Sequence, residues 1–459
     1  MSADLPLIVS ISGIRGLVGR TLTDEVVRRF AAAFAASLPP GARVVLARDT
    51  RPSGPGFAAQ IARELQESGC HVLDLDVCST PGAKLMVLEL EAQGAIIVTA
   101  SHNPGAWNGL KLIRGDGIFL NQEQGERVLR LFEARRSHRQ GGGRLERVDP
   151  AAVKERHLQR IVAHVDAAAI RSAGLSAVVD PCNGTGSLLV PGLLRALGVR
   201  TAVIHGEPSG LFAHEPEPLP ANLADLGEAV RRNGASVGFA VDPDADRVSL
   251  VDESGRPVGE DYTLALAVQA VTARAKGTVV TTLSTSQTVT DAARRNGCPV
   301  LLTPVGEVHV VEKMLAEGAV IGGEGNGGVV LTQIDPGRDA AVGVAVVLEA
   351  MAGSGRPLSA LVADLPAYAI CKRKVGASPQ ALRQAVQRLR SLYPEAYLHP
   401  VEDGAKLYLQ GGMDCPWIHL RPSNTEPVVR IIAESQSAAE AEGLCREAEE
   451  LLREGEARG

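Results

Sequence analysis

Three stretches of the chain share one pattern: an apolar strand empties into a small polar turn, and a helical periodicity then begins. Val44-Val45-Leu46-Ala47 runs into Arg48-Asp49-Thr50-Arg51-Pro52-Ser53-Gly54. Ala177-Val178-Val179 runs into Asp180-Pro181-Cys182-Asn183-Gly184-Thr185-Gly186-Ser187, and Thr278-Val279-Val280 into Thr281-Thr282-Leu283-Ser284-Thr285-Ser286. Strands that are apolar throughout are buried on both faces, as in parallel sheets covered by helices. Most of the chain alternates such short runs with longer amphipathic segments, so we expect three related α/β units. At 459 residues the chain exceeds what one hydrophobic core organises. Only 3% of residues are aromatic, which leaves Ala, Val, Leu and Gly to fill the core.

The last ninety or so residues depart from this rhythm. Tyr397-Leu398-His399-Pro400-Val401 and Trp417-Ile418-His419-Leu420 read as strands, and Ser437 to Arg453 is a charged helical run able to cover their sheet. That describes a smaller α+β unit. Arg135 to Arg144, with three glycines, reads as a surface linker or hairpin, and the proline-rich stretch Glu207 to Pro220 as an ordered but irregular loop.

A formal net charge of -6 gives no general attraction to nucleic acid or anionic lipid. The longest apolar stretch, Ala340 to Leu348, is too short to span a bilayer. The first residues lack the basic and apolar regions of a signal peptide. Seven scattered cysteines without a Cys-x-x-Cys pair argue against zinc fingers and disulfide frameworks. A cytoplasmic protein without nucleic-acid or membrane partners is expected.

Four polar constellations follow apolar runs. In the first, Ile96-Ile97-Val98-Thr99-Ala100-Ser101-His102-Asn103-Pro104 delivers the Ser101 hydroxyl at a strand end, with His102 beside it and Lys111 a little further on. Such a serine can act as a nucleophile or hold a phosphoryl group, but it can equally cap a helix or close a turn. The second, Gly238-Phe239-Ala240-Val241-Asp242-Pro243-Asp244-Ala245-Asp246-Arg247, places three carboxylates at alternating positions in a tight loop. They can converge on a hard cation such as Mg²⁺, and without a cation they repel one another. A solvated acidic turn is the alternative.

The third is Gly322-Gly323-Glu324-Gly325-Asn326-Gly327-Gly328. Its glycines let the backbone approach a ligand, and Glu324 and Asn326 can accept and donate hydrogen bonds to hydroxyls. The fourth is Arg421-Pro422-Ser423-Asn424-Thr425-Glu426-Pro427, with Arg430 beyond. It gathers partners for phosphate oxygens, and also residues that cap helices.

Together and in this order, the four motifs resemble those of the α-D-phosphohexomutase superfamily, and the resemblance extends over essentially the whole chain. It implies three similar α/β domains with mixed sheets, over 1–150, 151–254 and 255–366. A smaller C-terminal α+β domain, 367–459, would complete a central active-site cleft. It also implies that Ser101 carries a phosphoryl group, passes it to a sugar monophosphate, and takes the other phosphate back from a bisphosphorylated intermediate. One Mg²⁺ per chain would be bound by Ser101, Asp242, Asp244 and Asp246, and a sugar 1,6-bisphosphate would act as activator. Arg15, in Ser12-Gly13-Ile14-Arg15-Gly16, and Arg247 would approach the phosphoserine, with Lys111 and His102 at the positions of general acid and base. Glu324 and Asn326 would bind the sugar, and Arg421, Ser423, Asn424, Thr425 and Arg430 the phosphate that is not reacting. The partner would be a small-molecule sugar phosphate and the protein a monomer or homodimer.

Many family members read Gly-Glu-x-Ser-Gly-His in the third motif, whereas here Asn326 and Gly328 occupy the serine and histidine positions. With Trp107-Asn108 and Val305-Gly306-Glu307 as flanks, this form looks more like a phosphoglucosamine mutase branch. A phosphoglucomutase/phosphomannomutase is the alternative, and a silent sugar-phosphate-binding protein a remote one. The histidine's role is lost or passes to a residue such as His309.

Overall fold

The computed structural model describes residues 7–135, 141–422 and 428–457. Its strands form four sheets. The first contains β1 (Ile8–Ser10), β2 (Gly13–Leu17), β3 (Arg43–Arg48), β4 (His71–Val77), β5 (Gly94–Val98), β6 (Trp107–Arg114) and β7 (Leu145–Arg147). The second contains β8 (Ser176–Asp180), β9 (Arg200–Val203), β10 (Val237–Val241) and β11 (Val248–Val251). The third contains β12 (Val279–Thr282), β13 (Val300–Thr303), β14 (Ile321–Glu324) and β15 (Gly328–Val330). The fourth contains β16 (Ala369–Gly376), β17 (Tyr397–Leu398), β18 (Ala405–Tyr408), β19 (Trp417–Pro422) and β20 (Val428–Ser435), all antiparallel.

The three repeats seen in the sequence are one topology used three times. Strand orders are β4-β3-β5-β6, β9-β8-β10-β11 and β13-β12-β14-β15. In each, three strands run parallel and the last turns back antiparallel. The recognised repeats are the first strand of each unit, β3, β8 and β12. The sheets are mixed, because the third strand returns through a hairpin rather than a helix. In the first sheet β1 and β2 extend the β6 edge and β7 extends the β4 edge. The segment expected as a linker thus leads straight into an edge strand, while residues 136–140 of it lie outside the described residues.

The hairpin turns of these units are Thr99–Ala106, Asp242–Arg247 and Gly325–Gly327. Three of the four polar constellations are therefore the same structural element in successive units, at the carboxyl end of a buried parallel strand. A βαβ reading of the sequence sees the strand before each turn and misses the antiparallel strand after it. The fourth motif also lies between hairpin strands, β19 and β20, and Ser423, Asn424 and Thr425 lie outside the described residues.

Packing joins the units. A single hydrophobic core runs through the second and third sheets, from Val179 and Phe239 to Val279, Ile321 and Leu348. At its centre lies the helix Ala340–Ser354, apolar on nearly every face and hence buried rather than amphipathic. Asp339 starts it, with Oδ1 accepting from Ala341 N at 2.8 Å and Val342 N at 3.3 Å, and Gly355 ends it in the left-handed region at φ 64°. Asp339 Oδ2 lies 2.6 Å from His157 Nε2, which ties this helix to the helix Pro150–Val162. Helix Ala438–Ala457 covers the fourth sheet through Leu444, Cys445, Ala448 and Leu452, as its apolar spacing requires. Among the described residues no helix is long and apolar enough to cross a membrane.

Candidate active site

Ser101 is 1% exposed and has φ +50°, a left-handed conformation that costs an L-residue about 1 kcal/mol or more. Long-range contacts hold it there. Its N–H donates to Thr99 Oγ1 at 2.9 Å, and Thr99 in turn donates to Asp49 Oδ2 at 2.7 Å. Asp49 pairs with Arg51 Nε at 3.0 Å. The Arg51 guanidinium then donates to four carbonyls of the turn: Ser101 at 2.7 Å, Asn103 at 2.6 Å, Pro104 at 3.0 Å and Trp107 at 2.8 Å. Arg51 and Asp49 are both fully buried, and burial lifts the Asp49 carboxyl above its ordinary range despite the arginine beside it.

Neither residue was singled out from the sequence. The available signal was two opposite charges in the first repeat, directly after a wholly apolar strand. Arg51→Met strands a buried carboxylate and is expected to cost about 3–5 kcal/mol. Urea unfolding should show the loss, and adding Asp49→Asn should recover part of it. An unchanged midpoint would mean that the Ser101 turn holds its own shape.

The acidic loop meets this turn from the second unit. Ser101 Oγ donates to Asp242 Oδ2 at 3.0 Å, and Asp242 Oδ1 accepts from the N–H groups of Asp246 and Arg247, both at 3.1 Å. One oxygen from each of Asp242, Asp244 and Asp246 lies within 4.8 Å of the others, and all three residues are fully buried. Lys111 Nζ, from β6, reaches Asp244 at 2.6 Å and Asp246 at 3.0 Å. Thr80 Oγ1 donates to Asp244 Oδ2 at 2.6 Å. Burial alone would lower the Lys111 ammonium, but the two aspartates outweigh it and hold it above its ordinary value.

The carboxylates themselves diverge. Burial, then Asp246 and Asp244, push Asp242 well above the usual range. Burial would also raise Asp246, but Arg338, Lys111 and Arg247 hold it well below. These residues fit a hard cation: Asp244 Oδ1 and Asp246 Oδ1 are buried without a hydrogen-bond partner among the described residues, beside the oxygen pair of Asp242 and Ser101.

His102 Nδ1 lies 3.3 Å from Ser101 Oγ. Burial and the nearby Arg247 and Arg15 drive this imidazole well below its ordinary pKa, so it is neutral at physiological pH. Arg15 donates to Asn103 Oδ1 at 3.1 Å, at the edge of the Ser101 turn. Arg247 Nε stands 3.6 Å from Asp246 Oδ1. Glu217, from the proline-rich loop, faces both His102 Nε2 at 3.7 Å and Arg247 Nη1 at 3.8 Å.

Arg338 connects the acidic loop with the glycine-rich one, and the sequence reading missed it. It donates to Asp246 at 2.9 Å, Glu324 at 2.5 Å and Glu307 at 2.9 Å, and Glu307 also pairs with the buried Lys84. Glu324 therefore faces the same centre but is already paired, and its Oε1 accepts from Gly306 N at 3.2 Å. His309 sits in the first turn of the helix that follows, Glu307–Glu317.

The glycines of this loop also have a packing role. A Cβ at Gly325 would lie 2.0 Å from Asp261 Oδ1, one at Gly327 2.5 Å from the Val248 carbonyl, and one at Gly328 2.2 Å from Arg338 Cδ. They let the third unit's turn press against the second unit and against Arg338. Asn326 Oδ1 accepts from Gly328 N at 3.2 Å, so the amide also closes its own turn.

Arg421 and Arg430 lie opposite one another on β19 and β20. Arg421 Nε pairs with Asp403 Oδ1 at 2.8 Å, and Asp403 Oδ2 accepts from Val305 N at 2.8 Å. The arginine is thus tied, through one carboxylate, to the third unit. Arg430 Nε is buried without a hydrogen-bond partner among the described residues.

Comparison with known proteins agrees with this arrangement. The models of phosphoglucomutase/phosphomannomutase α/β/α domains I, II and III match residues 7–139, 155–255 and 259–368, and that of the C-terminal domain matches 373–451. A "Phosphoglucomutase/phosphomannomutase" of Thermococcus kodakarensis is 35% identical over 94% of each chain. A "Probable phosphoglucosamine mutase" of Methanopyrus kandleri is 33% identical over 96% of this chain and 97% of that one. The crystal structure of a phosphoglucomutase/phosphomannomutase family protein from Burkholderia thailandensis superposes with a TM-score of 0.84 at 27% identity, covering 98% of both chains. With four domains matched in order and relatives aligned nearly end to end, the chain belongs to the phosphoglucomutase/phosphomannomutase family of the α-D-phosphohexomutase superfamily and is a phosphohexomutase.

Proposed function

We propose that the protein interconverts glucosamine 6-phosphate and glucosamine 1-phosphate through a phosphorylated Ser101 and a bisphosphorylated sugar. The observation that carries the phosphoserine reading is the contact of Ser101 Oγ with Asp242 at 3.0 Å, beside two carboxylates that have unpartnered oxygens. Asp242, Asp244, Asp246 and a phosphoserine oxygen would hold Mg²⁺, which when bound neutralises charge on the phosphoryl group.

In the first half-reaction the P–O bond at Ser101 breaks and a bond to a free sugar hydroxyl oxygen forms, the proton that this hydroxyl gives up being matched by one taken up at the departing Ser101 Oγ. The bisphosphate then turns around within the site, and Ser101 Oγ attacks its other phosphorus, breaking the bond from that phosphorus to the sugar oxygen, which leaves as a protonated hydroxyl. His102, neutral and 3.3 Å away, takes the serine proton in that step. Lys111, kept protonated by Asp244 and Asp246, is the acid. Arg15 and Arg247 offset phosphate charge. Arg421 and Arg430, with Ser423, Asn424 and Thr425, grip the distal phosphate in both orientations, and added sugar 1,6-bisphosphate keeps Ser101 charged with phosphate.

For the sugar, the Glu324 carboxylate and the remaining lone pair of the Asn326 carbonyl offer acceptors suited to an amino group. One such contact discriminates by about 1–3 kcal/mol, roughly ten- to a hundredfold in kcat/KM over glucose phosphates. Coupled assays on glucosamine 6-phosphate, glucose 1-phosphate and mannose 1-phosphate, side by side, test this. A kcat/KM for glucose or mannose phosphate equal to or above that for glucosamine phosphate makes the enzyme a phosphoglucomutase/phosphomannomutase instead. Two observations favour that second reading: Arg338 already pairs with Glu324, and the Thermococcus relative bears that name.

A further inference from the structure

Asp180, His205 and His214 form a second convergence of ligating groups that the reaction above does not use. Asp180 ends β8 and is buried; its partner across the sheet is Ala240, two residues before Asp242. His205 follows β9 by two residues, and His214 belongs to the proline-rich loop. The cluster therefore sits at the carboxyl ends of parallel strands, beside the acidic loop but on the neighbouring strands.

His205 Nδ1 lies 3.0 Å and His214 Nε2 3.1 Å from one and the same oxygen, Asp180 Oδ2. The two rings meet edge to face with centroids 5.6 Å apart, and one ligating atom of each residue lies within 4.8 Å of the others. Ligands about 2.0–2.1 Å from a tetrahedral zinc stand roughly 3.3 Å from each other, close to the two separations here.

The surroundings fix which nitrogens face inward. His214 Nδ1 is 2.8 Å from the Glu215 carbonyl, so it carries a hydrogen and leaves Nε2 toward Asp180. His205 Nε2 faces Asp225 Oδ2 at 3.8 Å, and Asp180 Oδ1 accepts from Cys182 N at 2.9 Å. Such outer contacts orient histidine and carboxylate ligands at metal sites. A neutral imidazole and a carboxylate would face each other here with lone pairs alone, and the pair needs either a proton or a cation between them.

We propose that Asp180, His205 and His214 bind a borderline divalent cation of the zinc class, at a site distinct from the Asp242–Asp244–Asp246 cluster. Two imidazoles and one carboxylate favour Zn²⁺ or Co²⁺ over the oxygen-seeking Mg²⁺. The ion would tether the proline-rich loop to the ends of β8 and β9. That loop carries Glu217 to His102 and Arg247, and it crosses the first unit, where Phe212 lies under Arg51 at 4.8 Å. The tether therefore fixes one wall of the active site without entering the reaction.

The experiment uses the full chain stripped of metals and resupplied with saturating Mg²⁺, as wild type and as the double variant His205→Gln, His214→Gln. With micromolar Zn²⁺, the wild type should retain one equivalent through gel filtration and melt several degrees higher. The double variant should do neither, and its Mg²⁺-dependent turnover should persist at a lower rate. Equal retention by both proteins, or none by the wild type, overturns the proposal and leaves a proton-bridged ion pair. If the double variant fails to fold, Co²⁺ on the wild type decides. An intense visible absorption that Zn²⁺ abolishes and excess Mg²⁺ leaves intact supports the site, and a spectrum without it overturns it.

Discussion

Ser101→Ala should lower turnover of hexose phosphates by at least about a thousandfold, because it removes the atom that accepts and returns the phosphoryl group. The change is one oxygen at a buried position with φ +50°. Alanine tolerates that backbone no better than serine, so thermal stability should shift little. The Arg51 clamp holds the main chain of the turn rather than the hydroxyl. A small residual rate is expected when sugar bisphosphate is supplied in excess. Full turnover by the variant would require another phosphoryl carrier and would undo the mechanism.

Asp244→Asn should cost about a hundred- to a thousandfold in kcat, and chelation of Mg²⁺ should abolish activity until Mg²⁺ is restored. Asp244 is the carboxylate on which Lys111 and Thr80 converge. Asparagine keeps its shape and removes its charge, so the loss should fall mainly on rate rather than on folding. Asp244 Oδ1, the unpartnered oxygen, is the atom whose charge matters here. Enzyme that works unchanged in excess EDTA, or an Asp244→Asn variant at wild-type rate, contradicts a cation at this centre.

What the sequence revealed of this site depended on chain distance. Ser101, His102 and Lys111 stand within one hairpin, and Asp242, Asp244 and Asp246 within one turn, so strand-to-turn patterns exposed them. The groups that hold them come from afar. Arg51 reaches the Ser101 turn from fifty residues away, Thr80 reaches Asp244 from an earlier helix start, and Arg338 meets Asp246 from beyond the glycine loop. Local periodicity contains no term for such partners. One signal was available: Arg338 and Asp339 immediately precede the wholly apolar run Ala340 to Leu348, and charges flush against a buried helix must find partners.

The fold shows the same division. The first strands of the three units were legible because they are apolar on both faces. Their antiparallel fourth strands, β6, β11 and β15, were not, because each begins directly out of a polar loop. The glycines of Gly322 to Gly328 were legible as a loop that lets the backbone approach a ligand, but their close packing on Asp261, Val248 and Arg338 was not, because those residues are distant in the chain and Val248 belongs to the second unit.

Peptide mass spectrometry of the purified enzyme reads directly whether Ser101 carries the transferred phosphate. The peptide holding Ser101 should be phosphorylated in part of the protein, and labelled hexose bisphosphate should exchange its label into that residue and no other. An enzyme that interconverts hexose phosphates at full rate with Ser101 unmodified and unlabelled would contradict the account.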